Sequence, residues 1–344
     1  MNTFDPNLPG VATGSYFALP YSKEEAHTVL ISVPWDVTTS YRPGTHLGPQ
    51  AIIDASIQVD LFNVRVPRAW SIPLATEPVH EELPILNRSA RKLAEQIIAS
   101  WEEGKDPRIN GLSDILEQVN QACSRMNRIV YLQSSALLRQ GRFVGIVGGE
   151  HSVPLGFLQA LGEHYDSFGI LHIDAHADLR EAYEGFSFSH ASIMYNALKT
   201  VPAISSLTQV GVRDFCQEEY DFIQNSDRIA FFSDESLQEG LFEGLTWREQ
   251  CHRIMESLPD HVYISFDIDG LTPDLCPHTG TPVPGGLTFQ QVDYLLYLLA
   301  SSNRKIIGFD LCEVAPGEND SWDAIVGARI LHKICCYTYV NNKK

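Results

Sequence analysis

No apolar run in the 344-residue chain reaches the ~18 residues that a membrane-spanning helix needs. The first ten residues are polar and contain proline, without the basic start and apolar stretch of a secretion signal. Basic residues are scarce: 25 Lys+Arg stand against 43 Asp+Glu, a formal net charge of −18. Nucleic acid and anionic membrane both require a positive surface, so neither is expected as a partner. A cationic substrate, or metal ions offsetting part of the charge, fits better. The seven cysteines are odd in number and scattered, with no CxxC pair. That argues against a disulfide framework and a zinc ribbon, and for reduced thiols in a cytoplasmic protein. Internal repeats and low-complexity segments are absent as well.

What is present is ordinary globular composition, 44% hydrophobic and 20% charged. Short β-branched apolar runs recur at 28–33, 143–147, 168–173, 207–212, 229–232, 262–266 and 306–311. Several are apolar at consecutive positions, as strands buried on both faces are. Helical patterns lie between them, at 85–101, 113–139, 288–301 and 323–334. Strands alternating with helices predict a mostly parallel sheet covered on both faces, a three-layer α/β/α sandwich. A single domain over 1–344 is expected, with an irregular and helical insertion around 60–140, least regular at 60–112.

In such sheets ligands bind beyond the carboxyl ends of the strands. The run 143–147 is followed by Gly148-Gly149-Glu150-His151-Ser152, and 168–173 by Asp174-Ala175-His176-Ala177-Asp178. After 262–266 comes Asp267-Ile268-Asp269-Gly270, and after 306–311 comes Cys312-Glu313. One rim therefore collects His151, His176, four aspartates and Glu313. Residues two apart in extended chain point the same way, so Asp174, His176 and Asp178 line one side, as do Asp267 and Asp269. Carboxylates converging without cations repel one another. Two His and four Asp exceed the needs of one tetrahedral zinc and suit a pair of hard-to-borderline ions sharing carboxylates. Such a pair supplies a nucleophile at neutral pH.

Taken in order, GGEHS at 148–152, DAHAD at 174–178, SFDIDGLTPDLCPHTGTPVPGGL at 265–287 and DLCEVAP at 310–316 resemble the arginase/agmatinase (ureohydrolase) family. The resemblance covers most of 27–334. It implies hydrolysis of a guanidino group to urea at a binuclear metal centre. His151 and Asp178 would be terminal ligands of one ion, His176 and Asp269 of the other, with Asp174 and Asp267 bridging. Asp269 would also relay a proton, Glu313 would hold the guanidinium, and His190 would pass a proton to the leaving nitrogen. Glu150 stands where the family most often has Asp, and His190 lies in Ser-His-Ala-Ser rather than a His-Gly pair.

The stretch Tyr41-Arg42-Pro43-Gly44-Thr45-His46 is similar to the family's early glycine-rich loop, which makes Thr45 and His46 candidate substrate contacts, with Trp322 as a candidate pocket wall. The polar pattern with which arginases hold an α-carboxylate is replaced by Leu179, Arg180 and Glu181, which argues against arginine as substrate. The SHAS loop and the WDAIVGAR segment are most similar to an agmatinase-like branch that includes nickel-dependent guanidine hydrolases. The implied cofactors are two divalent ions, Ni2+ or Mn2+. The implied substrate is guanidine or a substituted guanidine or biguanide, with agmatine or a non-catalytic partner role as alternatives. The implied assembly is a homo-oligomer, a trimer or hexamer.

Overall fold

The computed structural model describes residues 4–343. Met1–Thr3, part of the polar N-terminal stretch read above, and Lys344 lie outside the described residues.

Among the described residues eight strands form one sheet: β1 (Thr28–Val33), β2 (Leu74–Glu77), β3 (Phe143–Gly148), β4 (Phe168–Ile173), β5 (Ile204–Val210), β6 (Ile229–Phe232), β7 (His261–Asp267) and β8 (Lys305–Cys312). Their order is β2-β1-β3-β8-β7-β4-β5-β6, and every pairing is parallel. The chain leaves β3 and lays down β4 three places away; β7 and β8 fill the gap between them only later.

Among the described residues ten α-helices cover the sheet. They are α1 (Gly48–Ser56), α2 (Glu82–Glu102), α3 (Ser113–Arg139), α4 (Leu155–His164), α5 (Ile193–Thr200), α6 (Gln217–Gln224), α7 (Asp234–Phe242), α8 (Trp247–Glu256), α9 (Phe289–Ser301) and α10 (Trp322–Asn342). The strand side chains divide by parity between two cores. Val29, Ile31 and Val33 of β1 join the core beneath α2–α5, while Leu30 faces the core beneath α1 and α8–α10. Ile170 of β4 and Leu171 separate in the same way. Burial on both faces is the physical reason these strands read as continuous apolar runs. Threonines fix two helix starts: Thr246 and Thr288 each accept from the backbone N–H three residues on and receive a Glu249 or Gln291 side chain in return.

Sequence and structure differ at the edges. The region around 60–112 contains β2, four residues long, which the sequence reading leaves as irregular chain. Pro73 precedes it and its carbonyl accepts from His27 and Thr28, seeding the pairing with β1. β5 starts at Ile204 rather than 207: Ser205 and Ser206 break the apolar pattern, and the pairing with β4 begins at Ile204 and shifts register past Ser205. α10 continues to Asn342, well past 334. Among the described residues no helix is long and apolar enough to cross a membrane. All seven cysteines are free thiols.

Candidate metal centre and active-site cavity

β3, β8, β7 and β4 stand side by side in the middle of the sheet, so their carboxyl ends deliver the motif residues to one place. Close backbone packing sets the first of them. The Gly149 N–H donates to Val33 O at 2.9 Å and the Glu150 N–H to Trp35 O at 2.7 Å. A Cβ on Gly149 would strike the Trp35 backbone, 2.8 Å from its carbonyl carbon and 2.9 Å from its nitrogen. Glycine is thus required by close approach, not by a turn. Two motif residues lie in the left-handed region, Asp178 at φ 55° and Glu313 at φ 62°. Strain of that kind persists where the surroundings hold a functional residue in place.

The acids and histidines meet in a buried cluster. His151 Nδ1 lies 2.9 Å from Asp174 Oδ2, 3.3 Å from Asp178 Oδ2 and 3.2 Å from Asp267 Oδ2. His176 Nδ1 lies 3.1 Å from Asp269 Oδ2 and 3.5 Å from Asp174 Oδ1. Ligating atoms of His151, His172, Asp174 and Asp178 all fall within 4.8 Å of one another, as do those of Asp174, His176 and Asp269. Asp174 belongs to both sets. The turns are locked by their own carboxylates: Asp174 Oδ1 accepts from His176 N–H, Asp267 Oδ1 from Asp269 N–H, and Asp269 Oδ1 from Ala175 N–H.

The electrostatics are those of crowded anions. Burial and the neighbouring Asp174 push Asp178 up to about 6. Burial, Asp269 and Asp174 push Asp267 well above the usual carboxylate range. Burial opposes ionisation of Asp174 too, but His172, His151 and His176 outweigh it and hold that carboxyl well below the usual range. Among the described residues no Lys or Arg forms an ion pair with these four aspartates. A nitrogen-and-oxygen donor set with surplus negative charge suits divalent cations of the hard-to-borderline class.

Sequence reasoning missed the residues beneath this rim. His172, inside β4, places Nε2 2.8 Å from Asp174 Oδ2 and Nδ1 3.0 Å from Gln209 Nε2. On the far side of His151, Nε2 lies 2.9 Å from Ser265 Oγ and 3.4 Å from Asp310 Oδ1. That contact leaves Nδ1 facing the carboxylates, the arrangement that orients a metal-binding imidazole. The available signal was a buried polar residue two positions before a motif acid: His172 before Asp174, and Ser265 before Asp267.

Glu313 follows β8 directly. Its N–H donates to Gly149 O at 2.7 Å, and its Oε1 accepts the His151 N–H at 2.8 Å. Burial and Glu150 push its carboxyl well up. A cavity of about 150 Å³ opens over His176, Asp178 and His190, with Arg180, Tyr183 and Asp214 on its wall. Burial pushes His190 down to about 4. Arg180 Nε lies 3.6 Å from Glu219 Oε2, and its guanidinium covers the Tyr183 ring. A larger cavity of about 460 Å³ lies between α3, α4 and the end of α5 and contains none of these residues.

Thr45, His46 and Trp322, like Glu313 and Asp269, are not among the residues that line this cavity. Thr45 is buried in a short 3-10 turn, and His46 Nδ1 is held 2.6 Å from Asp36 Oδ2, while Ser40, just before this stretch, lines the cavity. Trp322 opens α10, 42% exposed, and donates its indole N–H to Asp274 O at 2.8 Å.

The sequence model of the arginase family matches residues 26–336. The chain belongs to the arginase family. It is an enzyme of the ureohydrolase class. It is similar to the N(1)-aminopropylagmatine ureohydrolase of Thermus thermophilus, 30% identical over 316 residues, covering 92% of this chain and 91% of the relative. It is 28% identical over 298 residues to the agmatinase of Bacillus anthracis, covering 86% of each. Among solved structures, the agmatine ureohydrolase of Thermoplasma volcanium superposes with a TM-score of 0.71 at 22% identity, over 98% of this chain and 96% of that one. The last comparison bears on fold.

Proposed function

We propose that this arginase-family chain uses a two-ion centre to hydrolyse a small cationic guanidino compound, releasing urea and ammonia or an amine. The observation that carries the reading is the sharing of Asp174 between two buried ligand sets, beside a buried glutamate. His151 and Asp178 would hold one ion, His176 and Asp269 the other, and Asp174 and Asp267 would lie between them. Ni2+ and Mn2+ both fit imidazole and carboxylate donors. Such ions, when bound, supply positive charge and an acidified water for attack on the guanidinium carbon.

The remaining chemistry belongs to side chains. Glu313, its Oε1 anchored by the His151 N–H, presents a carboxylate to a planar cation, the geometry that charge-assisted pairing favours. Asp269 would take up the proton released by the attacking water. His190, on the cavity wall, would return a proton to the leaving nitrogen. The cavity of about 150 Å³ favours guanidine, an alkylguanidine or a biguanide, in keeping with the resemblance to the branch that includes nickel-dependent guanidine hydrolases. Arg180, fixed between Glu219 and Tyr183, adds a wall cation that supports this reading over a diamine tail.

A second reading, agmatine, draws on Asp214. This exposed wall carboxylate has no ion pair among the described residues and offers a site for a distal ammonium. Urea release from guanidine, methylguanidine, biguanide, agmatine and arginine, with manganese- and nickel-loaded enzyme, separates the two. Guanidine-sized substrates should give the highest kcat/KM. Agmatine in first place would establish the second reading, and arginine in first place would overturn both.

A further inference from the structure

We propose that Asn120 and Trp101, on the helical hairpin α2–α3, are positioning residues that hold the turn at 183–187 and, through it, the cavity wall formed by Tyr183 and His190. That this wall serves catalysis rests on the function proposed above.

The turn has little to hold it by itself. Glu184 lies in the left-handed region at φ 55°, a conformation that is costly for a non-glycine residue, and Gly185 follows at φ 90°. One backbone bond closes within the turn, from the Phe186 N–H to Tyr183 O at 2.9 Å. The other backbone groups need partners from elsewhere. Three helices supply them. The Trp101 indole N–H, at the end of α2, donates to Glu184 O at 2.9 Å. Asn120 Nδ2, in α3, donates to Gly185 O at 3.3 Å, and Asn120 Oδ1 accepts the Ser187 N–H at 2.9 Å. Asn196 Nδ2, in α5, donates to Ser187 O at 2.8 Å. Leu116 of α3 packs against the tip, where a Cβ on Gly185 would come within 2.9 Å of its Cδ2.

Asparagine is a poor choice for a helix interior, because its side chain competes for backbone hydrogen bonds. At 120 it has a use. Its amide offers one acceptor and a donor, and here they meet an N–H and a carbonyl two residues apart.

The turn carries part of the cavity wall. Tyr183 begins it and His190 follows its end; both line the cavity, with their rings edge-on and 6.2 Å between centroids. The base of the segment is closed by the Arg180 N–H, which donates to Ala191 O at 3.1 Å. The same hairpin holds the chain leading to Ser40, another lining residue. Asn87 Oδ1 accepts the Asp36 N–H at 2.8 Å, and Arg91 donates to the carbonyls of Asp36, Val37 and Thr39. One hairpin thus grips two segments of the cavity wall. Misplacement of such a wall by about 1 Å can cost roughly 100-fold in rate.

The test uses the full metal-loaded chain. Hydrogen–deuterium exchange with mass spectrometry follows peptides over 183–190, and steady-state urea release follows the best substrate of the panel above. Asn120→Ala places a stronger helix former in α3, so the helix stays and the turn is released. Trp101→Phe keeps an aromatic ring and removes the N–H, and it decides alone if Asn120→Ala fails to fold. Each should speed exchange over 183–190 about fivefold or more, the scale of one lost hydrogen bond. Exchange in β3 and β4 and metal content should stay at the wild-type level. KM should rise about threefold or more and kcat should fall, because the wall meets substrate before the reaction as well as during it. Wild-type exchange over 183–190 in both variants overturns the proposal. So does faster exchange with KM unchanged, whether or not kcat falls, since less folded enzyme alone lowers kcat. If exchange rises as expected but no guanidino compound yields urea with the wild-type chain, the proposed function fails and the hold on the turn stands.

Discussion

Gly149→Ala should damage fold and metal site together, and the structure gives the size of the effect. The added methyl would lie 2.8 and 2.9 Å from the carbonyl carbon and nitrogen of Trp35, distances no Cβ tolerates against backbone. No side chain can swing aside to relieve it. The loop after β3 must move instead, and that loop is stitched on both sides: Gly149 N–H to Val33 O, Glu150 N–H to Trp35 O, and Glu313 N–H to Gly149 O. Overpacking of a tight site costs about 1–3 kcal/mol. Losing one of these buried bonds adds roughly 1 kcal/mol. A total of about 3 kcal/mol lowers the thermal midpoint by roughly 6 °C at about 2 °C per kcal/mol. Because His151 follows two residues later and Glu313 hangs from the Gly149 carbonyl, metal content should fall in the same protein. Differential scanning calorimetry and elemental analysis measure the two effects. An alanine variant within 1 °C of wild type and fully loaded with metal would refute the reasoning.

Elemental analysis of active enzyme should find close to two divalent ions per chain. Asp174→Asn should lose both and Asp178→Asn one preferentially; full activity with a single ion would remove the two-ion mechanism. Glu313→Gln should retain its metal and lose about 100-fold or more in kcat/KM, the scale of a lost transition-state contact; a variant that loses metal instead would make Glu313 a ligand. Trp322→Ala should leave kcat/KM within about twofold, because its indole is tied to Asp274 O outside the cavity. Burial works to raise the Asp36 carboxyl, but His46, Asn87 and the Gly44 N–H outweigh it and hold it below its usual 3.8. A depressed carboxyl stabilises the folded state above that pH, and the stabilisation fades as pH falls through the lower folded value. Asp36→Asn should therefore be less stable than wild type at pH 6, with the gap narrowing below about pH 4 in acid unfolding followed by circular dichroism.

The parts of this protein that can be read from sequence are those whose environment is uniform. A strand buried on both faces must be apolar throughout, so β1, β3, β4, β7 and β8 appear as runs wherever they fall in the chain. The ligand pattern is visible because a strand end is extended chain, and Asp174, His176 and Asp178 keep one side by the two-residue period. β2 escapes because it has only four residues and borrows its order from β1 and the Pro73 carbonyl. His172, Ser265 and Asp310 escape for a different reason. Each is one polar residue within an apolar strand, and its meaning depends on which neighbour the sheet order supplies. His172 reads as a site residue only beside Asp174 and Gln209, and Ser265 and Asp310 only beneath His151.

The same distinction explains the early loop. From sequence, Thr45 and His46 are read as substrate contacts, and Asp36 and Thr38 stand just before that stretch. In three dimensions they divide. Asp36 collects His46, Gly44 and Asn87, while Arg91 donates to the carbonyls of Val37 and Asp36. These contacts anchor the loop and tie His46 to Asp36. Thr38, between them, is left facing Glu150 and His190, 112 and 152 residues away. A loop held at Asp36 has few ways to move Thr38, so the contacts of its hydroxyl to Glu150 and His190 are set by that anchor. Asp36 and Thr38 are two ends of one short segment: the first anchors it, and the second carries its contacts to Glu150 and His190.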